Sequence, residues 1–561
     1  MAISPTHTRT LPQRPSWWNG RTRWLLIFIG ALLWSLAQAG LFDGRQLVNG
    51  GGWPQVVAFW QAAFQPTLTR DFLAITLDAT LVTLAYAVTG TFLSLLLGSG
   101  FGLLASEVWW ESVWPQQARW RRVPWLLVRG FLAIPRGIHE LLWGLFFLNI
   151  FGLDPLVAIL AIGIPFGATV AKVFAEMLDE APRAPFLALL HSGASPQQAL
   201  LYGLLPIALA DLLSYAFYRF ECAIRAAAIL GVVGAGGLGY QILLSMQTLN
   251  YNETWTLFYA LMLLSGLADA WSAQVRQRLG RTDVACNTFL GRDALPPPPQ
   301  FDKVLKWSIT AVFLLTPLSF WFLQPTVSLL WAERSQRLLA DVVSRAWPLR
   351  LTIAAGQQLW QLSLATLAMS ILAAALAAGG GGLLSFLAAR PFTTERSQPW
   401  LSTLLRWVSR TLLLLMRAIP APIWALVFLF IFFPGMLPGA LALAVYNLGI
   451  LGRLMAEVTE NQDERPLQAI KALGANRGAA FLYGTVPAVT PRYLAYSLYR
   501  WENAIRETVV VGLVGAGGLG RELTQQLAAF NYRAVLALLL CVVLLTFVVD
   551  MLSTAVRRTA R

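Results

Sequence analysis

Long apolar runs separated by short polar segments follow one another along the whole chain. Residues 24–41, 81–105, 307–323 and 534–549 contain no charged residue, and about 18 such residues suffice for a helix to cross a bilayer. The pattern predicts an all-α polytopic membrane protein with about twelve transmembrane helices. We place the spans near residues 23–42, 75–105, 125–151, 155–178, 200–229, 253–272, 307–325, 355–388, 402–433, 437–458, 480–510 and 533–552.

The second half of the chain repeats the first. Residues 218–225, YRFECAIR, match 499–506, YRWENAIR, and GAGGLG occurs at both 234–239 and 515–520. Both matches have the same offset, and Ile134-Pro135 matches Ile419-Pro420 at a slightly larger one. The chain is therefore predicted to be a tandem duplication with about six spans in each unit. Because six is even, both units enter the membrane in the same direction, as a parallel repeat about an axis along the membrane normal.

The joint between the two units is the longest polar stretch of the chain. It includes the run Pro296–Pro299, which favours polyproline II and cannot continue a helix. We predict a first transmembrane domain at 1–275, a Pro-rich cytoplasmic linker at 276–303 and a second transmembrane domain at 304–561.

Composition excludes several other classes of protein. Of the 561 residues, 57% are hydrophobic and 12% are charged, and the net charge is +14. Arginines cluster beside the apolar spans, as juxtamembrane cytoplasmic charges do, so they indicate a lipid bilayer and no nucleic acid. Cys222, Cys286 and Cys541 lie far apart in the sequence, and neither a disulfide framework nor a metal site is predicted.

No motif for catalysis is visible. The pattern G-x-x-x-x-G-K-[ST], which cradles nucleotide phosphates, does not occur in the sequence. His139-Glu140 lacks the second histidine of a zinc-protease motif. We therefore predict a transporter and not an enzyme.

The two GAGGLG segments fit the dinucleotide pattern G-x-G-x-x-G, but their context does not. A Rossmann unit has a strand before the glycines, whereas a long apolar span precedes both segments here. Glycines permit backbone turns at membrane depth where the backbone lines a cavity or is buried in protein. We interpret the segments as paired hinge or gate elements near the outer face, formed by Gly234, Gly236, Gly237, Gly239, Gly515, Gly517, Gly518 and Gly520.

Two charged pairs fall inside predicted spans. Glu221 and Arg225, and likewise Glu502 and Arg506, are four residues apart and so share a helix face. One interpretation is a structural ion pair within each helix. The other is that the arginines help to line an anion path, because arginine forks suit phosphorus oxyanions and intramembrane charges usually face a watery cavity.

A polar segment between the fourth and fifth spans has the same order of features in both units. Residues 180–197 and 461–478 each begin with acidic residues, followed by a proline, a short amphipathic stretch and Gly-Ala, and each leads to Tyr-Gly-x-x-Pro. A plain interfacial loop would explain one such segment. Its repetition favours a docking element.

Ala188, Gly193-Ala194 and Pro206, with their second-half counterparts, resemble the cytoplasmic signature loop of ABC importer permeases. The resemblance implies a type I ABC importer permease fold, in which this loop is a coupling helix that docks into an ATPase subunit. The signature usually opens with a glutamate, whereas this chain has leucine and glutamine there. The implied coupling residues are Pro185, Leu187, Ala188, Gly193, Ala194, Pro206, Pro466, Gln468, Ala469, Gly474, Ala475 and Pro487.

Residues 502–506 (ENAIR), 514–520 (VGAGGLG) and 530–532 (FNY) together resemble permeases of the phosphonate-import type. That group handles phosphonates, phosphite and related phosphorus oxyanions, and it usually builds its pore from two copies of one short permease. This chain resembles both copies fused. Its first half departs from the pattern, with Ala226 in the place of Glu507 and Tyr240 in the place of Arg521.

The resemblance also implies partners and a location. Two cytoplasmic ABC ATPase subunits would bind ATP and Mg, a periplasmic or lipid-anchored binding protein would deliver a small oxyanion, and the permease itself would hold no cofactor. The location would be the bacterial inner membrane. The alternatives are an ABC permease for methionine, a quaternary amine, thiamine or iron, and a secondary carrier driven by ions.

Overall fold

Helices make up almost the whole of the structure. The computed structural model describes residues 18, 20–42, 46–113, 122–289, 303–348, 353–390, 400–512 and 514–560, and 87% of them are helical with no strand among them. The helices are α1 Gly20–Gln38, α2 Trp53–Ala62, α3 Arg70–Ala105, α4 Glu107–Val113, α5 Arg122–Gly137, α6 Glu140–Phe151, α7 Pro155–Glu180, α8 Ala184–His191, α9 Pro196–Ala199, α10 Leu205–Leu230, α11 Gly237–Gln247, α12 Tyr251–Phe289, α13 Lys303–Leu323, α14 Glu333–Ala346, α15 Ile353–Ala388, α16 Trp400–Ala418, α17 Ala421–Ile431, α18 Met436–Glu460, α19 Arg465–Ala472, α20 Arg477–Ala480, α21 Val486–Gly512, α22 Gly518–Ala528 and α23 Tyr532–Ala560.

Eight helical segments of the described chain are long and apolar enough to cross a membrane, or ten if each of two bent pairs counts as one span. The bent pairs are α5 with α6, at 83°, and α16 with α17, at 97°. The repeated Ile-Pro lies close to both bends: Pro135 is in the last turn of α5, and Pro420 directly precedes α17. Proline weakens helical hydrogen bonding and favours a bend nearby. The two other predicted spans correspond to α1, which is a shorter apolar helix, and to α21, which carries several charged residues. The all-α, duplicated membrane architecture is confirmed.

Glycines bring the second and fourth long helices of the first half into close contact. An added Cβ on Gly90 of α3 would lie 2.8 Å from Ile162 Cβ of α7, and one on Gly167 of α7 would lie 3.0 Å from Leu97 Cβ of α3. Small residues at such positions let membrane helices approach closely and gain van der Waals contact. In the second half, α15 and α18 form the equivalent pair.

The first helix of each half packs against the other half. Helix α1 contacts α15 and α23, and its Phe28 meets the Trp501 ring edge-on with the ring centroids 6.0 Å apart. Helix α13, which opens the second half, packs against α3 and α12. The halves therefore exchange their first helices and do not form two separate bundles.

The region of the predicted linker is helical where it is described. Helix α12 continues through residue 276 to Phe289, and residues 290–302 lie outside the described chain. The domain boundaries stay a prediction.

Replacing Gly90 by leucine is expected to lower the free energy of unfolding by about 1–3 kcal/mol, because overpacking a close-packed interface has this cost. The measurement is the midpoint of thermal unfolding in detergent, followed by tryptophan fluorescence. The control is Gly100→Leu on the same helix, where an added Cβ meets no atom within 4 Å. Equal destabilisation by both substitutions would contradict this packing.

Candidate functional site

Helices α10 and α21 carry the predicted charged pairs, and each begins with a widened turn. Residues Leu200–Leu204 and Phe481–Thr485 form π-helical turns that contain the repeated Tyr-Gly. Pro206 and Pro487 follow at the start of the long helices. Proline has no backbone N–H to donate. Its place is the first turn of a helix, where the N–H groups have no acceptor within the helix. The repeated sequence Tyr-Gly-x-x-Pro therefore sets where the two central helices start.

The glycine segments reverse the chain after each central helix. Gly234, Gly236 and Gly237 have φ of 100°, 90° and 72°, and their second-half counterparts have similar values. L-residues with side chains rarely adopt such angles. Helix α11 or α22 then folds back against its long helix, and an added Cβ on Gly239 would overlap with the carbonyl oxygen of Ala228.

Each reversal is fixed to a neighbouring span by a threonine. The Leu238 amide donates to Thr83 Oγ1 at 2.8 Å, and the Leu519 amide donates to Thr366 Oγ1 at 2.9 Å. The glycines thus serve a tight helix reversal within a helical bundle, without the strand that a dinucleotide fold requires. Their role as hinge or gate stays a prediction.

Glu221 lies in a buried cluster of charges that joins the two halves. Arg225 Nη2 is 3.2 Å from Glu221 Oε1, as the spacing predicts. The same carboxylate oxygen is 3.5 Å from Arg417 Nη1 and 3.9 Å from Arg453 Nη1, both in the second half. Asp269 of α12 pairs with Arg417 and, at 2.7 Å, with Arg453. Three arginines therefore share two buried carboxylates across the interface.

Sequence reasoning missed three members of this cluster. These are Asp269, Arg417 and Arg453. The available signal was a charge inside each of three apolar segments, since intramembrane charges pair with one another. Their partners are distant in sequence, so spacing could not identify them.

The second charged pair is arranged differently from the first, and the ion-pair interpretation is wrong for it. Glu502 pairs with Arg557 of α23 at 2.9 Å. Arg506 donates to the Arg136 carbonyl oxygen at 2.9 Å and to Asn503 Oδ1. The spacing predicts that Glu502 and Arg506 pair on one helix face. In the structure, Glu502 pairs with Arg557 instead, and Arg506 bonds to Arg136 and Asn503.

The predicted coupling segments form short helices, α8 and α19. Pro185 and Pro466 lie in their first turns. Each helix ends at a glycine with positive φ, 87° at Gly193 and 85° at Gly474. The Ala194 amide bonds back to the Leu189 carbonyl oxygen at 3.0 Å, so the repeated Gly-Ala is a helix C-cap of the Schellman type.

Each short helix has one buried position next to exposed ones. Phe186 and Leu467 are buried, whereas Leu187, the residue after Phe186, is 45% exposed. An added Cβ on Gly203 would lie 3.0 Å from the Phe186 backbone. The Tyr-Gly glycine therefore lets α8 rest on the start of α10. The remaining exposed residues at this register are Ala188, Gln468 and Ala469.

Comparison with known proteins identifies a family. The sequence model described as "Binding-protein-dependent transport system inner membrane component" matches residues 112–280 and 381–561. The chain is 23% identical over 478 residues to the phosphate-import permease protein PhnE of Mycolicibacterium smegmatis, covering 85% of this chain and 84% of that protein. It is 36% identical over 193 residues to the phosphite transport system permease protein PtxC of Stutzerimonas stutzeri, covering 34% of this chain and 68% of that protein.

Among solved structures, the chain is similar to one in inward-facing conformations of the MetNI methionine ABC transporter. The identity is 22% and the TM-score 0.34, and the match covers 38% of this chain and 99% of the other. This partial similarity does not bear on the substrate.

Replacing Asp269 by asparagine is expected to destabilise the protein by about 3 kcal/mol, because breaking a buried ion pair leaves a charge uncompensated. The midpoint of thermal unfolding in detergent measures the effect. Asp550→Asn is the matched control, since Asp550 is the repeat counterpart, is exposed and has no ion pair within 4.0 Å in the described chain. If Asp269→Asn unfolds no earlier than this control, the cluster does not hold the halves together.

Proposed function

Since the chain belongs to the family of binding-protein-dependent transport system inner membrane components, we propose that it imports a phosphorus oxyanion: phosphonate, phosphite, hypophosphite or phosphate. It is an ABC importer permease and a multi-pass protein of the bacterial inner membrane. A transporter permease is not a catalytic enzyme. Both permease units stand in one chain, which supports the interpretation of a fused pair.

The names of its relatives carry this proposal. The relative that aligns along most of the chain is named a phosphate-import permease, and a second one is named a phosphite transport permease. The chemistry of the interior supports it, since Arg225 lies on the central helix α10 and Arg506 on the central helix α21. Guanidinium groups bind tetrahedral oxyanions through paired, charge-assisted hydrogen bonds.

ATP would be hydrolysed by two separate cytoplasmic subunits that dock on α8 and α19 and hold ATP and Mg. The exposed Leu187 and its neighbour Ala188 offer an apolar contact on the first helix. The second helix offers Gln468, whose amide donates to Glu464 Oε2 at 3.1 Å. Because α8 rests on the start of α10, a movement of the docked ATPase would be transmitted to the central helix.

On the other face, a periplasmic or lipid-anchored binding protein would deliver the substrate. Closure of the ATPases on ATP would then tilt the halves and give alternating access. The glycine reversals after α10 and α21 lie at the ends of the central helices that are distant from the coupling helices. They are the segments that we expect to border the outer opening.

Uptake into proteoliposomes tests the proposal. The permease is reconstituted with its ATPase and binding-protein partners and supplied with phosphite, phosphate, a phosphonate or methionine. We expect ATP-dependent accumulation of at least one phosphorus compound and none of methionine. Accumulation of methionine instead would contradict the proposed substrate class. Accumulation of any substrate without ATP would contradict transport driven by ATP hydrolysis.

Leu187→Asp is expected to reduce association with the ATPase subunit about tenfold or more, since charging an exposed apolar anchor removes a hot-spot contact. The measurement is the amount of ATPase that co-purifies with the permease. Leu153→Asp is the control, because Leu153 is 81% exposed and lies at the opposite end of α7. Undiminished co-purification with Leu187→Asp would exclude this surface as the docking site.

A further inference from the structure

The two central helices carry an arginine at the same position of the repeat, and only one of the two is neutralised. In the second half, Arg500 Nη2 lies 2.6 Å from Glu507 Oε1. Arg500 Nε donates to Asn447 Oδ1, and the Asn447 amide in turn donates to Glu507 Oε2 at 3.0 Å. Carboxylate and amide together satisfy this buried guanidinium within its own half.

The equivalent arginine of the first half, Arg219, has lost both acceptors. Ala226 stands at the position of Glu507, and Phe166 stands at the position of Asn447. The Arg219 guanidinium lies over the Phe166 ring, 3.7 Å from its centroid. An aromatic face attracts a cation, but it accepts no set of directed hydrogen bonds in the way that a carboxylate does.

Arg219 is consequently a buried cation with unused donors. The residue is 9% exposed, its Nε has no hydrogen-bond partner, and within the described part of the chain it forms no ion pair with a carboxylate. A guanidinium has five N–H donors, and leaving such a group buried and unpaired is costly. In the second half, the arginine at the same position of the repeat has a carboxylate and an amide as partners within the protein.

The surroundings of Arg219 are polar and partly open. Tyr215, Tyr218, Cys222 and Tyr499 are within electrostatic range of the guanidinium. Tyr218 and Tyr499 belong to the two central helices, yet they are 36% and 53% exposed. After Arg219, α10 continues into the packed interior, since nearly all of residues 223–230 are buried. Arg219 therefore lies just before the buried end of α10, next to one partly exposed tyrosine from each half.

We propose that Arg219 binds the oxyanion of the substrate during its passage, through its free donors and with help from the neighbouring tyrosine hydroxyls. Arg500 has no such role, because Glu507 already occupies its donors. One arginine binds an anion with moderate strength, which a conduit requires so that the substrate can leave. This inference rests on the proposed function, since it assumes an anionic substrate.

The test uses the complete transporter, reconstituted with its ATPases and binding protein in proteoliposomes, and measures initial uptake of phosphite, phosphate and a phosphonate. Arg219→Gln is expected to lower the maximal rate about tenfold or more, because it removes a charge-assisted hydrogen bond to the substrate. Arg219→Lys, which keeps the charge, should retain a larger part of the rate. ATP hydrolysis without the binding protein should stay that of the unaltered complex for both variants.

The matched control is the double substitution Arg500→Gln with Glu507→Gln, which removes the second-half pair without leaving a lone charge. Its uptake rate is expected to stay within about twofold of the unaltered rate, since replacing both partners of a hydrogen bond can be nearly neutral. If Arg219→Gln does not assemble with its ATPases, Arg219→Met, of similar length, takes its place with the same expectation.

The outcomes distinguish a failure of the role of Arg219 from a failure of the proposed function. Unaltered uptake by the Arg219 variants, or an equal loss in the double control, would overturn the role of Arg219 and leave the proposed function standing. If the unaltered transporter accumulates no phosphorus oxyanion at all, the proposed function is wrong and this inference with it.

Discussion

Two carboxylates of the first half, Glu221 and Asp269, hold Arg417 and Arg453 of the second half inside the apolar part of the molecule. A charge there is tolerated only when an opposite charge is close, because its removal from water costs several kcal/mol. The relative placement of α10 and α12 against α16 and α18 depends on this compensation. Any movement of the halves must carry these charges together or expose them to water, so the cluster limits which movements are possible.

The halves share a fold but not their electrostatics. The counterparts of Glu221 and Asp269 are Glu502, which pairs with Arg557 of its own half, and Asp550, which is exposed. Arg500 is neutralised, whereas Arg219 is not. Two identical subunits would carry the same residues on both sides of the axis. Fusion in one chain permits the two sides to differ, and here both the charge cluster and the unpaired arginine use that freedom.

Much of the fold could be predicted from the sequence, because apolar length and the repeat are local and periodic signals. They predicted the all-helical membrane class and the twofold organisation, and the repeated polar segments predicted the short helices α8 and α19. The pairing of Arg225 with Glu221 followed from helical spacing. The pairing of Glu502 with Arg557 on α23 and the bond from Arg506 to the Arg136 carbonyl oxygen on α5 did not, because these partners are far away in sequence. For the same reason the cluster around Asp269 became visible only when the helices were placed side by side, and so did the link between Arg219 and the Ala226 that stands in the place of Glu507.

The exchange of first helices has a consequence for how the protein is made. Helix α1 leaves the ribosome well before α15 and α23, against which it packs, because these are synthesised only after the entire first half. Until then α1 stands in the membrane without its final neighbours, and the first half cannot complete its packing by itself. Domains of a chain generally fold one after another as they emerge. In this chain α1 packs against helices of the second half, so the first half reaches its final packing only after those helices have been made.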